Sequence, residues 1–147
     1  MKTLITLLFS AALAFPAIAA TYDVRYGTIT VPDDFVFKHT GTIDSYKGTL
    51  TRKSDGFTIH FDIGLMAGAQ MHDGKKANCS FFRQHSLGGL PANTGIEKVA
   101  DDRRIATTIG FDPKNLHGPA NFWAIIGKDS DVADFLLIVT TYQGKPK

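Results

Sequence analysis

The stretch KGTLTRKSDGFTIHFDI, Lys47 to Ile63, decides the fold. Lys47 to Lys53 is rich in Thr and reads as a strand. Ser54-Asp55-Gly56 is a tight turn signal. Phe57 to Ile63 then alternates apolar and polar residues. Side chains of a strand alternate between its two faces, so Phe57, Ile59, Phe61 and Ile63 point into a core while Thr58, His60 and Asp62 point away. Two such runs around an Asp-Gly turn predict an antiparallel hairpin.

The same grammar extends outward. Thr28 to Val31 reads as a strand that turns at Pro32-Asp33-Asp34, and Phe35 and Phe37 share a face in the next one. Arg103 to Phe111 carries Ile105, Thr107, Ile109 and Phe111 on one face. Ala120 to Ile126 and Phe135 to Tyr142 are apolar on both faces and read as central strands, with Trp123 expected in the core first and as a ligand platform second. Between these two, Asp129 to Asp134 reads as a short connection of at most one helical turn, with Ser130 as its cap. Leu65 to Met71 has fair helix propensity, interrupted by Gly68. Lys76 to Ser86 sets Ala77, Phe81 and Phe82 at helical spacing. Leu87 to Lys98, with Gly-Gly, Pro and Asn, reads as a long loop. The fold class expected is α+β, dominated by an antiparallel β-sheet with one or two short helices; all-β is the alternative.

The first residues concern destination. Lys2 precedes an apolar run from Leu4 to Phe15, and Ala17-Ile18-Ala19 gives a small-x-small cleavage pattern. Residues 1–19 read as a signal peptide and 20–147 as a single globular domain. The run is about 12 residues against the roughly 20 that span a bilayer. No later run is long enough, so no membrane span is expected in the mature chain. A short signal with one basic residue predicts a periplasmic or secreted bacterial protein.

Composition narrows the classes. Net charge is +2 at pH 7, and the basic residues occur singly or in pairs with acids nearby, as in Asp101-Asp102-Arg103-Arg104. A nucleic-acid binder carries a denser basic stripe, so no nucleic-acid partner is expected. The lone Cys79 permits no internal disulfide and is expected to be a small buried apolar residue. All acidic residues but Glu97 are Asp, a poor helix former, which argues against long helices.

Chemistry gathers around Ile63. His60 and Asp62 are neighbours on one strand face, about 7 Å apart along the backbone. Beyond them come Met66, Met71, His72 and Asp73 on a Gly-adjusted stretch. These six residues form the candidate binding surface. The alternative is a metal site using His60, Asp62 and His72. Zinc takes three or four ligands, and no close His-x-x-x-His or Cys-x-x-Cys spacing is present, so the non-metal reading is preferred. Cys79 and His85 are too far apart on a strand and face apart on a helix, which excludes a nucleophile–base pair. No Gly-x-Ser-x-Gly, phosphate loop or His-Glu-x-x-His occurs, so no catalytic residue and no cofactor are expected.

Ile43-Asp44-Ser45 with Gly48, then Ile59-His60-Phe61-Asp62-Ile63-Gly64 with Met66-Ala67-Gly68, and later Gly118-Pro119-Ala120-Asn121-Phe122-Trp123, resemble small exported bacterial proteins of uncharacterised function. The resemblance spans most of the mature chain. It implies an exported single domain and transfers no activity or site residue. The function expected is a small non-catalytic binding or accessory protein, such as an inhibitor or immunity protein acting on a secreted hydrolase, with another exported protein as partner. The alternatives are a metal-dependent enzyme or metal carrier, and a carrier of a small apolar ligand.

Overall fold

The computed structural model describes residues 19–71, 79–110 and 118–145. Residues 1–18 of the expected signal peptide 1–19, together with His72, Asp73 and Phe111, lie outside the described residues. Among the described residues ten strands and one helix follow in chain order. They are β1 (Ala19–Asp23), β2 (Gly27–Pro32), β3 (Phe35–Gly41), β4 (Tyr46–Arg52), β5 (Thr58–Ile63), β6 (Cys79–Leu87), β7 (Leu90–Val99), β8 (Asp102–Ile109), β9 (Ala120–Ile126), α1 (Asp129–Val139) and β10 (Gln143–Gly144). The protein is mostly antiparallel β-sheet with one short helix.

Seven strands form the main sheet in the order β3-β4-β5-β9-β8-β7-β6, and β1-β2-β10 form a small one. The β4–β5 hairpin pairs from Tyr46↔Ile63 to Thr51↔Thr58. Its turn needs Gly56 at φ 78°, where a side chain would be strained. The expected inner residues Phe57, Ile59, Phe61 and Ile63 are all buried. They meet Phe122, Ala124, Ile105 and Ile109 in one core, which the small sheet and α1 close from above with Val24, Ile29, Val31, Phe135, Ile138 and Tyr142. β9 is a central strand as expected, held between β5 and β8.

Four local expectations are corrected. Phe135 to Tyr142 is not a strand; residues 135–139 end α1. Phe135, Ile138, Val139 and Tyr142 are buried, at the i, i+3, i+4, i+7 spacing of a helix face, whereas Leu136 and Leu137 are exposed. Ser130 lies inside α1 and does not cap it. The N-cap residue is Lys128, and Asp131 at the third helical position reaches back to it: its carboxylate accepts the amides of Gly127 at 2.9 Å and Lys128 at 3.0 Å. Second, Cys79 to Leu87 is strand β6, not helix. Third, the expected loop from Leu87 is β7, because Gly88 and Gly89 both take positive φ and make a two-residue hairpin turn. Fourth, residues 65–71 form turns and bends rather than a helix.

An ion cluster ties the β4–β5 turn to α1. Arg52 donates to Asp55 through Nε and Nη2 at 2.8 and 2.7 Å, to Asp131 at 2.6 Å, and to Asp134. Lys128 adds a bond to Asp55 at 2.6 Å. The guanidinium also lies over the Phe57 ring, 4.8 Å from its centroid.

Candidate functional site

The main sheet has an inner face against the core and an outer face that residues 64–71 cross. Asn121, wholly buried, ties this segment down. Its Nδ2 donates to Gly68 O at 2.7 Å, and its Oδ1 accepts from the Gln70 amide at 3.0 Å and the Thr108 hydroxyl at 2.7 Å. The Met71 amide donates to Thr108 Oγ1 at 2.8 Å. Met71 itself is fully buried over Gly95, where any Cβ would meet its sulfur at 2.8 Å. Of the candidate surface residues, Met71 is therefore an anchor beneath the surface. Nothing in the sequence singled out Asn121; its only signal was a polar residue in an otherwise apolar strand.

His60 and Asp62 do share the outer face, yet they differ. His60 is exposed and stacks on Trp123, with ring centroids 5.5 Å apart and planes 13° from parallel. The register pairs the two directly across β5 and β9, which puts Trp123 on the outer face rather than in the core. Asp62 is buried, its Oδ2 3.8 Å from Lys47 Nζ and its Oδ1 without a partner. Thr40, Lys47, Thr49, His60 and Trp123 line a shallow concavity of about 260 Å³. Among the described residues, no three His, Cys, Asp or Glu side chains converge on one point. Cys79, expected to be buried, is only partly so; its thiol donates to Phe81 O at 2.8 Å.

Met66 leads to the second feature. It is 73 % exposed and Leu65 is 62 % exposed, while Ile43, in the β3–β4 turn, is 96 % exposed. Gly64 holds the two loops together. It takes φ 138°, and its Cβ direction meets the Ser45 backbone at 3.4 Å. Its amide donates to Pro119 O at 3.1 Å, and a side chain on Gly118 would run into its carbonyl. Ile43 and Leu65-Met66 thus project from one end of the sheet, above β4, β5 and β9. No family model, curated protein or solved structure matches the chain. Ser45, Gly64 and Gly118-Pro119, distant in sequence, meet at this end.

Proposed function

We propose that the chain is an exported, non-catalytic binding or accessory protein that grips another exported protein through the end bearing Ile43, Leu65 and Met66. One observation carries this reading: three large apolar side chains stand in water on two loops that Gly64 brings into contact. Apolar groups grouped in this way mark contact surfaces. The adjoining His60–Trp123 stack extends the surface with a flat ring pair, and Trp is prominent among residues that dominate interfaces. The apolar run and Ala17-Ile18-Ala19 support export. An inhibitor or immunity protein of a secreted hydrolase would act in this manner.

The test is site-specific crosslinking in the producing cell. A photoreactive residue at Met66 is expected to give one discrete adduct with an exported protein. Adding Ile43→Asp is expected to abolish it. The same probe at Val99, exposed at the β7–β8 turn, is expected to give none. No adduct from Met66, or the same adduct from Val99, would overturn the reading.

A further inference from the structure

We propose that the cleft between β6 and α1 binds a small monocarboxylate with an apolar body. The main sheet runs on to β7 and β6 beyond β9, the strand against which α1 packs, and a wedge opens there. It measures about 390 Å³ and is lined by Phe81, Arg83, His85, Ser86, Thr94 and Leu136. That volume lies within the range, roughly 300–1,000 Å³, that small organic ligands occupy.

The lining is asymmetric in charge. Alternation along β6 puts Phe81, Arg83 and His85 on the inner face, and the register sets Arg83 beside Thr94. Among the described residues no acid lines the cleft and no carboxylate pairs with Arg83. His85 is held from behind. Its Nε2 bonds Thr94 Oγ1 at 2.8 Å, and Thr94 Oγ1 bonds the wholly buried Thr107 Oγ1 at 2.8 Å. This chain fixes the imidazole and leaves Nδ1 without a hydrogen bond among the described residues. Arg83 supplies a planar fork of N–H donors, which matches the two acceptor oxygens of a carboxylate.

Besides Ser86, the remaining walls are Phe81 and Leu136. Phe81 is 48 % and Leu136 39 % exposed, high values for such large apolar side chains. An apolar body between them removes both from water. A neutral apolar ligand would desolvate Arg83 without pairing it, at a cost. A dianion would find a single permanent cation. One negative charge on an apolar body satisfies both halves of the lining.

Calorimetric titration with octanoate and 4-phenylbutanoate, against octanol and 4-phenylbutanol, tests this. At least one acid is expected to bind saturably at one site, with its alcohol at least tenfold weaker. Arg83→Gln is expected to weaken the acid at least tenfold and leave the alcohol unchanged. Arg83 is exposed, and an unchanged melting temperature shows that the variant folds. Amide NMR shifts are expected at His85 and Thr94 and not at Ile43 or Met66, which separates this cleft from the protein-binding end. No saturable binding of either acid at millimolar concentration would overturn the proposal. So would equal affinity for acid and alcohol, or an Arg83→Gln variant that binds as wild type does.

Discussion

Phe61 and His60 are adjacent in sequence and face opposite worlds. Phe61 is 1 % exposed, with the rings of Phe37, Tyr46 and Phe122 at 5.6, 6.0 and 6.4 Å. Gly48 lies across from it because any side chain there would run into its ring. Phe61→Ala is expected to cost about 3–5 kcal/mol, the transfer of a ring plus the cavity it leaves. His60→Ala removes an exposed imidazole from one stack and is expected to cost about 1 kcal/mol or less. Denaturant unfolding of the two variants checks this; similar losses would contradict the division of faces. That division was legible in the sequence, because period-2 alternation needs only local information. The stack on Trp123 was not, because nothing in either strand announces which strand lies beside it. The burial of Asp62 escaped for the same reason: it depends on Lys47 and Asn121 opposite.

At the scale of elements, α1 shows where pattern reading fails. Phe135 to Tyr142 is apolar enough for a two-faced strand, and a short apolar run does not reveal its own period. What decides for helix is Asp131, three residues beyond Lys128, receiving two amides and Arg52. The hairpin and the helix start share that guanidinium, so their stability carries a pH signature. Arg52, then Lys128, hold the Asp55 carboxyl well below the usual range. Burial pushes Asp131 up, but the Arg52 guanidinium and the Gly127 and Lys128 amides together leave it lowered. A carboxylate depressed in the folded state stabilises above its unfolded pKa of about 3.9, and that contribution is lost as pH falls through and below it. Melting temperatures at pH 7 and pH 3 are expected to fall further for wild type than for Asp55→Asn. Parallel curves would show that the cluster is not linked to folding. On the alkaline side burial pushes Tyr142 up to about 12, so its neutral form stabilises up to about pH 10 and that contribution is lost above.

The main sheet is two runs of neighbouring strands joined at one seam. β3-β4-β5 is built from local hairpins, and so is β6-β7-β8-β9. Among the described residues only β5 against β9 pairs strands across them, through four positions from His60↔Trp123 to Ile63↔Ala120. The individual hairpins were readable from turn chemistry. The seam was not, since His60 and Trp123 lie sixty-three positions apart and local signals do not reach that far. A chain ending after Gly110 keeps β5 and β8 but lacks β9 and α1. It is expected to sediment as aggregates, where the full chain is monodisperse or forms a defined oligomer; a soluble, folded truncate would show that the seam is dispensable. The seam also sets a timetable for biosynthesis. A polypeptide emerging amino-terminus first completes the β3–β5 run early, and the open edge of β5, with Ile59 and Phe61 half-covered, must wait for β9. Until then the nascent chain offers a sticky strand to whatever passes, and holding it apart is work for a chaperone rather than for the sequence itself.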